Sequence, residues 1–593
     1  MKFLKKYFDI LKYIYSFSHT YIFLILFVKI FNFFTTYAML YLGRILLNSI
    51  SRSISESKLE INRLIIVIFI VLIFEVLTTL FYNISQYFIG KIILRYNDAL
   101  TIKMATQISS LDMSYFDNPE HYNKLRQASS VSNSIMNIFN GSIDLIFACF
   151  SLVFYFFICL KFNIFITLIA LLSVIPGYII NKKIQVCNYD MEKSIIPNKR
   201  YVDYLLSIFY NRNTEMELKI YNFSDFIIRK VDNTQKEYRD KKIKFSRKAA
   251  IWESLLFVFN KVCYYCNSIF IILCIIKNKL TIGDYTYYNG IVLNLSSSLK
   301  SSINLINNIY INFIKYNDYC SILERKPLID TSGNININTS KIEIEFYHVS
   351  FKYPNTDNWT LKDITFKFTS GDKIALVGLN GAGKSTLIKL LLRFYDPVEG
   401  DIFLNGINIK KYDLTSYRRI FSTMFQDIIL YLLSIEDNIC ISDISCDNEK
   451  KRNKVQQITK ELGIDVINEK PLNLERFYGK EFYSDGYILS KGQQQKLQAA
   501  KTLFRDANVF IFDEPAASLD AIAESKFLKT LVDSTKEKSV IYITHRYNNL
   551  DIMDNIILLN NGQIVEQGTH HILINNKGLY YKMFCIQNKK EIK

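Results

Sequence analysis

The sequence predicts two unlike parts: a bundle of six membrane-spanning α-helices, followed by an α/β domain built around a glycine-rich turn. Three observations carry this. The chain has 593 residues, more than a single hydrophobic core organises, so at least two domains are expected. Half of the residues are hydrophobic, with 44 Phe and 40 Tyr, a composition suited to lipid. The long apolar stretches all fall before residue 320, whereas the turn GLNGAGKST lies at 378–386.

A spanning helix needs about 20 mostly apolar residues. Candidates lie at 20–43, 64–89, 138–160, 163–182, 250–276 and 285–310, the second the clearest and the sixth the weakest. The start MKFLKKYFDILKYIYS is basic but lacks a small-residue cleavage site, so the amino terminus is expected to stay inside. The connections 90–137 and 183–249 then face the cytoplasm, and both are long, basic and of helical composition. Lys plus Arg outnumber Asp plus Glu by 72 to 55, a formal net charge of +17, and this surplus lies where the positive-inside rule puts it. Nucleic acid is therefore not expected as a partner. Anionic lipid head groups are.

The ten Cys are scattered, several inside apolar stretches, and form no disulfide framework. Cys263-Tyr-Tyr-Cys266 sits in a hydrophobic run and reads as helix packing. Charges inside spans, Lys29, Glu75, Asp144, Glu253 and Lys261, each cost about 2.5 to 3.5 kcal/mol at the bilayer centre. They are expected to face the bundle interior or to snorkel from near the ends, with Glu75 the best cavity candidate. In the sixth span Asn294, Ser297, Ser301, Asn304 and Asn308 recur on one helical face. That stripe either lines a cavity or hydrogen-bonds neighbouring helices.

The domain limits follow: 1–325 is the transmembrane domain, 326–341 a polar linker, and 342–593 the α/β domain. In the last, KIALVG reads as a buried strand, GLNGAGKS as a phosphate-binding turn, and STLIKLLLRF as a helix. Gly378, Gly381 and Gly383 free the backbone N–H groups to wrap phosphate oxygens, Lys384 reaches the outer phosphates, and Ser385 offers its hydroxyl to Mg²⁺. The run VFIFDE at 509–514 is a second buried strand ending in two carboxylates. Asp513 is placed to hold the metal and Glu514 to polarise an attacking water.

Residues 489–496, LSKGQQQK, resemble the signature motif of ATP-binding cassette (ABC) proteins, and the order and spacing of the other motifs agree. The resemblance implies a cytosolic ATP-binding cassette with ATP and Mg²⁺ as ligands. Tyr353 in FKYP would stack on adenine, with Asn380 and Thr386 completing the phosphate turn. Gln426 in MFQD would touch the metal and couple the site to the membrane part, and His545 in YITHR would be the switch histidine. The D-loop would be Ser518-Leu519-Asp520. Because such domains pair head to tail, Ser490, Gly492 and Gln493 would contact the phosphate held by a partner's cradle. One cassette and one set of spans make a half-transporter, expected to work as a homodimer or with a related subunit.

One departure stands out: the family's LSGGQ is LSKGQ here, with Lys491 in place of a glycine. An active site is still expected. The loop segment 111–128, with LTIGDYTYY and EMELKIYN, extends the resemblance to exporter-type ABC proteins and places a coupling helix in the first cytoplasmic loop. FDNPEHYNKL and FQDIILYLLSIEDNI look most like transporters of modified peptides and bacteriocins. The expected function is thus ATP-driven export of a peptide or other amphipathic molecule by alternating access. A lipid or multidrug exporter and an exporter-fold importer of a metal chelate remain alternatives. No peptidase domain is expected ahead of the first span, so leader removal from a peptide cargo would need another enzyme.

Overall fold

The computed structural model describes residues 19–56, 61–117, 131–278, 280–337, 341–354, 356–444, 448–467, 470–516, 521–547 and 550–587. The chain divides into two compact units: Met1–Leu111 with Asn118–Lys326, and Asp112–Asp117 with Pro327–Lys593.

The first unit is helical. Its long helices are α1 (His19–Glu56) and α2 (Ile61–Ser109), and Asp112–Asp117 of the second unit carries the single turn α3 (Met113–Phe116). Then come α4 (Val131–Phe162), α5 (Ile164–Tyr210), the short α6 (Arg212–Tyr221), α7 (Ser224–Asn278) and α8 (Ile282–Leu323). Several run well past the apolar stretches. The 49 residues of α2 span about 74 Å at 1.5 Å per residue, far more than a bilayer core. Helical composition continues through the basic loops, so the helices do too.

Five helices among the described residues are long and apolar enough to cross a membrane. The sixth, α8, is an unbroken 42-residue helix whose Ser and Asn residues dilute its apolarity. It packs against α1, α4, α5 and α7. Its start is pinned by a capping box in which Asp284 accepts from Thr281 N (2.8 Å). The same carboxylate, 2% exposed, pairs with Arg44 of α1 at 2.6 Å.

The charges inside spans resolve individually. Lys29 and Asp144 pair across α1 and α4 at 2.6 Å, which offsets the burial cost of each. Glu75 lies exposed on α2 and is not among the residues that line the cavity described next. Glu253 and Lys261 do line one, of about 720 Å³, enclosed by α5, α7 and α8. Ser297, Asn304 and Asn308 of the α8 stripe face that cavity, while Asn294 hydrogen-bonds Tyr155. Both alternatives for the stripe are therefore realised.

The second unit holds two sheets. Strands β1 (Glu343–Phe351), β2 (Leu361–Thr369), β3 (Lys373–Gly378), β4 (Glu399–Leu404), β5 (Ile407–Asn408) and β6 (Phe421–Met424) precede β7 (Val466–Ile467) and β8 (Lys470–Pro471). After these come β9 (Val509–Asp513), β10 (Ser539–Thr544), β11 (Asn555–Asn560) and β12 (Gln563–Gly568). Helix α9 (Lys384–Leu391) follows β3, α10 (Leu414–Arg419) precedes β6, and α11 (Ile435–Cys440), α12 (Asn448–Glu461) and α13 (Lys491–Phe504) precede β9. Helices α14 (Ala521–Asp533), α15 (His570–Asn575) and α16 (Leu579–Gln587) complete the unit.

The main sheet has the order β12-β11-β3-β10-β9-β6, parallel except at its β12 edge; an antiparallel sheet, β2-β1-β4-β5, lies beside it. Every residue of β3, β9 and β10 is buried, as expected of central parallel strands covered on both faces. Alternate residues feed different cores. Ile374, Leu376, Ile511 and Ile541 pack with the antiparallel sheet, while Ala375, Val377, Phe512 and Tyr542 pack against α11–α13. This two-sided burial holds the carboxyl ends of β3, β9 and β10 in register, and the candidate site is built on those ends.

Candidate nucleotide-binding site

Strand β3 ends at Gly378, whose φ is +151°. A Cβ there would lie 2.2 Å from the Leu559 carbonyl on β11, so only glycine lets the two strands close. The turn continues through Asn380 and Gly381 to Gly383, at φ +103°, whose Cβ would press on Leu361 at 2.6 Å. Helix α9 begins at the next residue, and its free N–H groups open onto the turn. Lys384, only 6% exposed, curls back over the turn. Its Nζ donates to the carbonyls of Gly378 (2.8 Å) and Leu379 (3.1 Å). Burial lowers its pKa. Ser385 and Thr386 follow in the first turn of α9.

The end of β9 supplies the carboxylates. Asp513 is 9% exposed, and burial, reinforced by the neighbouring Glu514 charge, pushes its carboxyl up to about 6 against the opposing pull of Lys384. Glu514 has φ +48° and its N–H donates to Ile543 O at 3.0 Å. A side chain in this left-handed conformation costs about 1 to 2 kcal/mol. The turn directs the Glu514 carboxylate into the cluster: Gln426 Nε2 donates to Oε2 at 3.1 Å, and His545 Nε2 lies 2.8 Å from Oε1. His545 Nδ1 faces Gly378 O at 3.0 Å, and Lys384 Nζ is 3.4 Å from both ring nitrogens. Lys384, Gln426, Asp513, Glu514 and His545 thus converge from four separate strand ends.

The donor set suits a hydrated divalent cation shared with phosphate oxygens. No cluster of three or more His, Cys, Asp and Glu suited to a metal exists among the described residues. One carboxylate and one hydroxyl beside a phosphate cradle are what Mg²⁺ ordinarily uses.

Tyr353 follows β1. Its hydroxyl lies 3.1 Å from Thr386 Oγ1, and Lys389 Nζ sits 5.2 Å above its ring. The rings of Phe351 and Tyr395 meet it edge-on at 5.2 and 5.5 Å. The tyrosine thus closes against α9, beside a cavity of about 600 Å³. Tyr395 also donates to Asp117, and Asp112 accepts from the Leu328 and Ile329 N–H groups, so the Asp112–Asp117 segment is tied to the second unit. Residues 118–128 of the expected coupling segment lie outside the described residues, as do Ser518, Leu519 and Asp520.

Ser490 is the N-cap of α13. Its Oγ accepts from Gln493 N at 3.3 Å, and Gln493 Oε1 accepts from Ser490 N at 2.9 Å, a reciprocal capping box. The Gln493 carboxamide is therefore engaged, while the N–H groups of Lys491 and Gly492 have no place in the capping box and point along the helix start. Lys491 is exposed, begins the helix and has no positive φ, so the departure from glycine strains nothing.

Sequence reasoning missed Gln498. It is 5% exposed on α13, and its Nε2 donates to Phe425 O (3.2 Å) and Asp427 O (3.4 Å), the carbonyls on either side of Gln426. The signal was available: a carboxamide between Leu497 and Ala499 in an otherwise buried helical run needs a buried partner.

The fold and site define a P-loop ATPase domain joined to a domain of membrane-crossing helices. The description "ABC transporter" matches residues 361–517, and "ABC transporter transmembrane region" matches residues 20–299. A subtilin transport ATP-binding protein of Bacillus subtilis is 29% identical over 570 residues, covering 92% of this chain and 88% of that protein. A nisin transport ATP-binding protein of Lactococcus lactis subsp. lactis is 26% identical over 93% of this chain and 91% of its own length. The structure of a bacterial Atm1-family ABC exporter with ATP bound superposes with a TM-score of 0.76 at 21% identity, covering 94% of this chain and 98% of that one. The chain belongs to the ABC transporter family. It is a membrane-embedded, nucleotide-binding protein whose ATP hydrolysis is coupled to transport, with the cassette in the cytosol.

Proposed function

We propose that this chain exports a peptide across the cytoplasmic membrane as a dimer of half-transporters, driven by ATP. The observation that carries the ATPase part is the convergence of Glu514, Gln426 and His545 on the Lys384 cradle. The peptide part rests on relatives named for subtilin and nisin transport that align along nearly the whole chain. A lipid A-core flippase of Wigglesworthia glossinidia brevipalpis is 34% identical but over only 53% of this chain.

In this reading Lys384 and the N–H groups of 379–386 hold the outer phosphates, and Tyr353 leaves Thr386 to stack on adenine. Ser385, Asp513 and Gln426 would hold Mg²⁺, which supplies charge neutralisation at the phosphate oxygens. Glu514 accepts the proton of the attacking water, and His545, anchored on Gly378 O, orients the Glu514 carboxylate. Ser490 and the free N–H groups of Lys491 and Gly492 would face the cradle of a second copy. Closing two cassettes on shared nucleotide and opening them after hydrolysis supplies the two-state element that alternating access needs.

The test is transport in inverted membrane vesicles containing the full chain. Subtilin or nisin, used as probe peptides, should accumulate inside the vesicles with ATP and not with a non-hydrolysable analogue. ATP-dependent movement of a lipid analogue or metal chelate, with no peptide movement, would contradict the reading.

A further inference from the structure

Carboxamides from three helices are set into the largely apolar wall of the cavity between α5, α7 and α8. Asn181 and Gln185 come from α5, Asn260 and Asn267 from α7, and Asn304 and Asn308 from α8. Asn267 is 2% exposed and its Oδ1 is buried without a hydrogen-bond partner; Gln185 Oε1 is likewise buried and unpartnered. An amide oxygen left unmatched in a membrane-spanning helix is unfavourable. Such an oxygen in a cavity wall is an acceptor waiting for an N–H donor. Asn181 and Asn304 are within 3.5 Å of each other across α5 and α8, so these groups form a shared wall rather than isolated side chains.

The dimensions and charges narrow the ligand. The lining runs from Ser173 to Gln185 on α5 and from Glu253 to Asn267 on α7, roughly 18 to 21 Å at 1.5 Å per helical residue. That length accommodates about six residues of extended chain at about 3.3 Å each. Its volume of about 720 Å³ lies within the range of ligand pockets. Apolar contact comes from Tyr178, Leu256, Phe257 and Val292 between the carboxamides. The charges are Glu253, Lys261 and Lys300, two bases and one acid. Lys261 is held to the wall by the Phe257 and Tyr264 rings at 5.5 and 5.7 Å.

We infer that this cavity is a peptide-binding site that recognises the main chain: carboxamides on three helices pair with the amide groups of an extended segment of about six residues bearing a carboxylate. Side chains of the segment are read loosely by the apolar wall, and Lys300 or Lys261 takes the carboxylate. A lipid would offer few N–H donors to Asn267 and Gln185, and its acyl chains would leave the carboxamides unmatched. The inference rests on the peptide-export reading above and assigns that reading a place in the molecule.

The experiment uses the full chain in lipid nanodiscs, a randomised hexapeptide pool carrying a photoreactive residue, and two competitors: the unlabelled pool and the same pool N-methylated along its main chain. Photolabel should map to cavity residues of α5, α7 and α8, and N-methylation should weaken competition at least tenfold. Asn267→Leu and, separately, the milder Asn304→Ser should reduce labelling several-fold while basal ATP hydrolysis stays at the wild-type rate. Equal competition by the N-methylated pool would overturn main-chain recognition. Labelling that maps elsewhere, with peptide still stimulating hydrolysis, would sink this site and leave peptide export standing. If no peptide labels or stimulates and a lysophospholipid stimulates instead, the peptide reading falls and takes the site with it.

Discussion

Glu514→Gln is the perturbation whose consequence follows most directly from the site. The substitution keeps the size and allows the hydrogen bond to Gln426 (3.1 Å) and the contact with His545 (2.8 Å), and removes the negative charge together with the capacity to take a proton. A positioned general base contributes about 10² to 10⁴ in rate, or roughly 3 to 5.5 kcal/mol. ATP affinity should change less than about threefold, because Lys384 is set by the Gly378 and Leu379 carbonyls and not by Glu514. The metal should not be weakened either. Removing the Glu514 charge takes away one of the three influences, with burial and the Asp427 charge, that push the Asp513 carboxyl up, so Asp513 becomes a readier carboxylate. The assay is phosphate release at saturating ATP, alongside equilibrium binding of a fluorescent ATP analogue. Hydrolysis falling at least 10²-fold with affinity preserved is expected. Hydrolysis within threefold of wild type would refute the assignment of Glu514 as base.

Other predictions follow from the same site. Gly378→Ala drives a Cβ to 2.2 Å from the Leu559 carbonyl, whereas Gly381→Ala meets nothing within 4 Å; thermal unfolding should show the first costing about 3 kcal/mol and the second about 1 kcal/mol, and equal losses would contradict the packing argument. The nucleotide-free protein keeps the Asp513 proton up to about pH 6, while the unfolded chain releases it near 3.9. The folded state therefore binds more protons in that window, and stability should fall by about 3 kcal/mol as pH rises from about 4 to about 6, then level off. Asp513→Asn should abolish that slope; a wild-type slope in the variant would refute the assignment. Gln498→Ala frees the Phe425 and Asp427 carbonyls that bracket Gln426, so kcat should drop about tenfold with little change in KM for ATP; a KM effect alone would show that Gln498 does not position Gln426.

What was legible in the sequence divides by physical cause. KIALVG and VFIFD read as buried strands because both faces of each are covered, so polar residues have little place in them. The glycine-rich turn was legible because its backbone angles exclude side chains, as Gly378 and Gly383 show. Gln426 and His545 carry no such local signature. Only resemblance placed them, since their meeting at Glu514 depends on strand order β10-β9-β6 in the main sheet. The membrane part was harder. The stretch of α2 around Glu75 is apolar on all sides, so nothing in its sequence says which face Glu75 takes, and the structure puts it outside the cavity that Glu253 lines. The Lys29–Asp144 pair joins residues 115 positions apart on different helices, a relation that single-helix periodicity does not contain. Gln498 was legible only in retrospect, as a buried carboxamide that had to find partners.

The central claim is that a second copy of the chain completes each nucleotide site through Ser490. The direct measurement is the mass of Glu514→Gln in detergent with and without MgATP, combined with cross-linking of Ser490→Cys to Asn380→Cys introduced in the same chain. The account predicts a dimer with MgATP and a short bis-maleimide bridge between position 490 of one copy and position 380 of the other, lost when nucleotide is removed. A protein that stays monomeric with bound MgATP, or dimers with no 490–380 bridge, would contradict it.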